Sequence, residues 1–350
     1  MNKFITEIFE QPKSLGDTLD YYSRAEGIAL LKDITGLVRK EKFEKIVFTG
    51  MGSSYFVSYA AACLFNNLGL HSFALNSSEL LYYNMSLITE KTLLVCISQS
   101  GESIEIVKLL DTLPANICCI GITNEEESFL SSRASHILFS KAGREEMTST
   151  KTFTSITMLT YILGWYLAGQ WEGKKQSGTE QMVKYFGSFL SDCSKRNDEW
   201  TAFFGDIQFM QFIGRGPSFS SVCQSELMFK EAAKIAAAGT LGGEFRHGPM
   251  EMVREGFMSV LFASEGPTYN QSIKMASDIV KYNGRVLLIT NKVPDFSDNI
   301  LSVISIAQPD EFLFSVPNIV PVQLLVNSLA LERGLEPGNF VNGGKVTVSE

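Results

Sequence analysis

Residues 45–54 read KIVFTGMGSS, and residues 209–218 read FMQFIGRGPS. Each is a short apolar run of strand length that stops at a glycine and passes into a Gly/Ser-rich turn. Gly50 and Gly214 stand 164 residues apart. Working outward, LVCISQSGES at 94–103 is echoed by SVLFASEGPT at 259–268, which sets Ser100 against Glu265 at an offset of 165. IGITN at 120–124 is echoed by LLITN at 287–291, an offset of 167. Matches in the same order at a near-constant offset mean a duplicated unit, with a period far too long for a solenoid. Within the first copy, 45–49, 93–97 and 117–120 read as buried strands, separated by stretches of helical length at 54–68 and 103–113. Continuous Val/Ile/Leu strands alternating with helices predict parallel sheets covered on both faces, an α/β fold of two doubly wound domains.

The 350 residues suit two domains of ordinary size. Hydrophobic residues make up 45% and charged residues 19%, which excludes a disordered or collagen-like chain. A net charge of −8 with no basic block argues against nucleic acid or an anionic membrane as partner. Residues 156–169 are taken as the longest apolar stretch, and they are short of a spanning helix. The N-terminal residues MNKFITEIFEQPKSLGD hold no apolar signal core. A cytoplasmic chain is expected. The six cysteines lie mostly in apolar runs without a CxxC pair, the pattern of reduced, buried thiols, and no metal or cofactor is expected. The domain boundary is expected in the polar stretch 192–199, DCSKRNDE.

SQSGES at 98–103 follows a buried strand and opens a helix. Free N–H groups and the positive dipole end at such a place favour an anion, and serine hydroxyls add donors. GMGSS at 50–54 ends the first strand, and TSTKT at 148–152 precedes a helix placed at 153–168. Serines at these positions also serve as ordinary N-caps and turn residues, so one such loop alone decides nothing. Two strand-end loops and a hydroxyl cluster in one domain favour a ligand. GxxxxGK[ST] and a full GxGxxG are both missing, which turns the reading from nucleotides to a phosphorylated small metabolite. The second copy carries Glu265, Gly266 and Pro267 in the equivalent loop, so the polar ligand groups are expected mainly in the first copy.

Taken with STKTFT at 149–154, Phe229-Lys230-Glu231, Phe245-Arg246-His247-Gly248-Pro249 and the C-terminal Gly344-Lys345-Val346-Thr347-Val348, these motifs resemble the sugar isomerase (SIS) family. The likeness runs from about residue 25 to the C-terminus as two tandem flavodoxin-like SIS domains, at 25–190 and 200–335, with a tail at 336–350 lying over the site. The nearest pattern is the isomerase half of glucosamine-6-phosphate synthase and its stand-alone relatives, the ketosamine-6-phosphate deglycases. The resemblance implies that Ser54, Ser98, Gln99, Ser100 and Ser103 hold the sugar phosphate, with Ser149 near the sugar. It implies Glu231 as the base moving a proton between C1 and C2, and His247, lent by a second subunit, as the group assisting ring opening. Lys345 would reach over the sugar from the tail.

Locally, Glu231 is placed in an alanine-rich helix at 225–238, either solvated beside Lys234 or turned into a cleft. His247 is placed in a glycine-rich loop at 239–248 between two helices. Where the synthases carry Glu and Lys one and two turns before the base, this chain has Gln224 and Met228. Residue 2 is Asn rather than a nucleophilic Cys, so neither a glutamine-hydrolysing segment nor a complete synthase is expected. The expected activity is cofactor-free cleavage of the C–N bond of a ketosamine 6-phosphate, in a homodimer or higher even oligomer. An amino-sugar-6-phosphate deaminase, an aldose–ketose isomerase and a sugar-phosphate sensor are the alternatives.

Overall fold

The computed structural model describes residues 1–347 and 349; Val348, the last residue of the C-terminal motif, lies outside them. The chain divides into two units, one of residues 10–183 with 341–350, the other of 1–9 with 184–340. Residues 192–199 are helical throughout, inside Gln176–Phe204.

The first unit holds the strands β1 Lys45–Gly50, β2 Ser72–Asn76, β3 Thr92–Ile97, β4 Cys118–Thr123 and β5 His136–Phe139 in the order β2-β1-β3-β4-β5, all parallel. All six residues of β3 are buried, because helices cover the sheet on both faces and leave no side for alternation. The second unit holds β6 Phe209–Gly214, β7 Ala236–Leu241, β8 Met258–Ala263, β9 Arg285–Thr290 and β10 Leu301–Ser305 in the order β10-β9-β8-β6-β7. Numbered from its own first strand, each sheet runs 2-1-3-4-5. The duplication therefore extends to topology. It extends to packing as well: Phe48 meets Phe65 edge-to-face at 4.7 Å, and Phe212 meets Phe229, 164 residues on, at 4.9 Å. Each pair joins the unit's first strand to its first crossover helix and is worth about 1 kcal/mol beyond the area it buries.

Two readings of the second copy are corrected. The helix expected at 225–238 is Ser218–Glu231, and Ala236–Leu241 is the edge strand β7, in register with β6 from Phe209↔Ala236 to Gly214↔Leu241. Alanine favours helix locally, but Lys234 takes a left-handed φ of +53°, and pairing with β6 overrides the propensity. The loop expected at 239–248 is accordingly the end of β7 followed by the helix Gly242–Arg246.

Among the described residues, Glu311–Glu332 has the length and hydropathy of a membrane span, but 94% of its apolar window is buried within the fold. Cys96, Cys119 and Cys193 are buried and the other three thiols half-buried.

Candidate functional site

In a sheet of this order the chain reverses direction between β1 and β3, and ligands of open α/β sheets lie beyond the strand ends at that point. The loops there are 51–52 and 98–103. The two strand ends approach closely: a Cβ on Gly50 would lie 2.8 Å from the carbonyl oxygen of Ile97, so only glycine fits. Gly101 takes a φ of +67°, and a Cβ there would strike the Ser128 hydroxyl at 2.3 Å.

The serine loop is partly self-supporting. Ser98 Oγ accepts from the N–H of Gly101 at 3.1 Å, and Ser100 Oγ accepts from that of Glu102 at 3.2 Å. Thr123 Oγ1 and the N–H of Asn124 both donate to the Gln99 carbonyl, which fixes the loop against the end of β4. Ser103 is the N-cap of the helix Ile104–Thr112, yet its hydroxyl caps no backbone group and lies 3.5 Å from Ser98 Oγ. This separates the two readings of that serine: the hydroxyl is turned toward its neighbour across the loop, not toward the helix. Ser54 lies in the first turn of Ser53–Asn67, half-buried, beside the end of β1.

The C-terminal tail joins this loop to the third hydroxyl cluster. The carbonyl of Thr347 accepts from the N–H of Ile104 at 3.0 Å, at the start of the helix that follows the serine loop. Lys345 Nζ donates to Glu145 Oε2 at 2.8 Å and to the Met147 carbonyl at 2.7 Å. Glu145 is fully buried and accepts four further hydrogen bonds. Its Oε1 takes the N–H groups of Thr150 and Thr152 and the Thr150 hydroxyl, and its Oε2 takes the Thr152 hydroxyl at 2.6 Å. Burial alone would raise this carboxyl; the Lys345 ammonium and the threonine donors outweigh it and hold it below the usual carboxylate range. Ser149 Oγ lies 2.8 Å from Thr152 Oγ1, so Ser149, Thr152, Glu145 and Lys345 form one connected chain.

Sequence reasoning passed over Glu145. Locally the sequence offers only the acidic pair Glu145-Glu146 ahead of Thr148-Ser149-Thr150, which does not single out one carboxylate; the helix that follows, Lys151–Leu167, is almost wholly buried. Lys151 was missed too; it is 4% exposed and its Nζ lies 2.5 Å from Glu10.

Glu231 and His247 stand in the second unit on separate elements. Glu231 ends the helix Ser218–Glu231 and is half-buried; Lys234 Nζ donates to its backbone carbonyl at 2.5 Å and to that of Asn339 at 3.2 Å. His247 is exposed at the end of Gly242–Arg246, where its N–H donates to the Glu244 carbonyl at 2.9 Å. Gln224 and Met228 are both fully buried.

The SIS domain profile matches residues 38–165 and 208–333, one stretch over each sheet. This chain belongs to the SIS domain family. A curated relative, glutamine–fructose-6-phosphate aminotransferase (isomerizing) of Methanothermobacter thermautotrophicus, is 27% identical over 358 residues, covering 99% of this chain and 57% of its own length. The chain thus spans little more than half of that relative. Among solved structures, the C-terminal domain of glucosamine-fructose-6-phosphate aminotransferase from Francisella tularensis superposes with a TM-score of 0.83 at 23% identity, over 95% of this chain and 96% of that one. Tagatose-6-phosphate ketose/aldose isomerase from Escherichia coli gives 0.82 at 20%, over 97% of this SIS chain and 95% of its own. At these identities the structures establish the shared fold.

Proposed function

We propose that this SIS chain is a ketosamine-6-phosphate deglycase. The observation that carries the sugar-phosphate part is the serine loop at the switch point, whose N-cap hydroxyl, Ser103, caps nothing. The family relation, to proteins named for fructose 6-phosphate and tagatose 6-phosphate, supports the same substrate class. In this reading residues 25–190 bind the phosphate through Ser54, Ser98, Gln99, Ser100 and Ser103, residues 200–335 supply the acid–base groups, and residues 336–350 close over the sugar.

Glu231 removes a proton from C1 of the opened ketosamine; the C1–H electrons form C1=C2 while the C2=O π electrons pass to O2, which takes a proton to give the enaminol. Glu231 then delivers a proton to C2, with exchange against solvent at the carboxyl group. The C1=C2 electrons take it up, the nitrogen lone pair closes C1=N, and loss of the N–H proton, which balances the one gained at O2, leaves the aldimine. Water adds to C1, the C–N bond breaks, and hexose 6-phosphate and free amine leave; the sequence consumes one water and is redox-neutral. His247, supplied by a second subunit, carries protons in ring opening. Met228 is uncharged and buried where the synthases have a lysine, which favours cleavage over the synthases' isomerisation.

The test is proton NMR in D₂O with a panel of ketosamine 6-phosphates, glucosamine 6-phosphate and fructose 6-phosphate. Release of hexose 6-phosphate with an equimolar amine supports the deglycase. Deuterium uptake at C1 or C2 without cleavage makes the chain an isomerase, ammonia from glucosamine 6-phosphate makes it a deaminase, and binding with neither makes it a sensor. The shared site has its own test. Inactive Glu231→Gln and His247→Ala proteins, mixed under subunit exchange, are expected to regain up to about a quarter of wild-type activity, because half of the chains enter heterodimers and each heterodimer has one intact composite site. Confirmed heterodimers without activity would overturn the assignment of His247 to a partner.

A further inference from the structure

The pair of loops that forms the phosphate cradle recurs in the second unit, where Gly216 and Gly266 stand 164 and 165 residues after Gly52 and Gly101. There too the loops follow the first and third strands of the sheet, β6 and β8, at the point where strand order reverses. The space between them is taken. Glu311 begins the short helix Glu311–Phe314 that follows β10, and its carboxyl group lies against both loops. A Cβ added at Gly266 would sit 3.0 Å from Glu311 Oε2, and one at Gly216 would sit 3.4 Å from Oε1. Ser264 Oγ donates to the same Oε1 at 3.3 Å.

The rest of the loop has been altered in the same direction. Pro267 replaces the residue equivalent to Glu102 and removes an N–H, while the N–H of Glu265 is taken by Asn291 Oδ1 at 2.6 Å. The helix Tyr269–Lys281 still points its N-terminus at this space, and that end favours negative charge. Glu311 brings a carboxyl group to this end from within the chain; burial pushes that group above its ordinary value, and the Ser264 hydroxyl works against the shift.

We propose that Glu311 is the built-in occupant of the second cradle, standing where an anion would otherwise bind, so that each chain takes one phosphate ester and not two. The proposal rests on the reading of the first cradle as a phosphate site, and the experiment separates the two. Binding of inorganic phosphate is counted by equilibrium dialysis for wild type, Ser100→Ala, Glu311→Ala and the double variant. Wild type is expected to bind one phosphate per chain, with affinity at least tenfold lower in Ser100→Ala. Glu311→Ala is expected to bind a second, weaker phosphate that survives in the double variant.

Two phosphates per wild-type chain, or a folded Glu311→Ala that gains none, would overturn the role of Glu311. If Glu311→Ala fails to fold, Glu311→Ser, which keeps a hydroxyl beside Ser264, takes its place in the same count. An unchanged affinity in Ser100→Ala would remove the first cradle instead, and the gain in Glu311→Ala would still decide the second.

Discussion

Glu231→Gln is expected to lower turnover of a ketosamine 6-phosphate by about 10²–10⁴-fold, the range over which a positioned base contributes to proton transfer. KM should change little, because the groups assigned to the phosphate lie in the other unit. The fold should also hold. Glu231 is the last residue of its helix, and the bonds that close that end are made by backbone: the N–H of Ala232 to the Met228 carbonyl at 2.8 Å and that of Ile235 to the Phe229 carbonyl at 2.9 Å. Lys234 holds the main-chain carbonyl of Glu231, which glutamine keeps. The measurement is kcat and KM beside thermal unfolding, with hydrogen exchange at C1 followed in D₂O. A variant within threefold of wild-type kcat, or one that still exchanges the C1 proton at the wild-type rate, would remove Glu231 as the base.

What the sequence made legible follows from how each residue earns its place. The central strands were readable because both sheet faces are covered, so β3 is apolar at every position. The edge strands were not: β2 is buried at Ser72 alone, and β10 at Ile304 alone, so neither shows a run. β7 was hidden by its alanines, although the offset of 164 already mapped Phe65 onto Phe229 and so placed the helix end near 231. The serine loops were legible as chemistry because small polar residues and glycines concentrate where backbone must approach a ligand. Glu145 was illegible for a physical reason. A buried carboxylate is stabilised by donors that tertiary structure brings to it, one of them 200 residues away in the tail, and no local pattern announces that.

That pair yields the second large effect. Lys345→Met leaves the Glu145 carboxylate buried with its cation gone, and removing one partner of a buried pair costs about 3–5 kcal/mol. Lys345 is 18% exposed and sits near the chain end, where water can follow a detached tail, so the lower figure is expected. That corresponds to a fall of roughly 6–12 °C in the melting temperature of this unit. The pH dependence has a definite sign. Glu145 is depressed in the folded state, so its contribution is fully present above the unfolded carboxyl value near 4.5 and is lost as pH falls through the lower folded value. The gap between wild type and Lys345→Met should therefore be widest at pH 7 and close as the medium is acidified below about 4.5. Glu145→Gln with Lys345→Met should cost less than the sum of the single changes, because each removes the same interaction. Additive costs, or a gap that does not change between pH 7 and pH 4, would show that the two side chains are not coupled. Coupling carries a consequence for catalysis: the same tail hydrogen-bonds through Thr347 to the helix that opens after the serine loop. Loss of the Glu145 anchor should therefore raise KM for the phosphorylated substrate as well as lower stability, whereas a purely structural pair would lower stability alone.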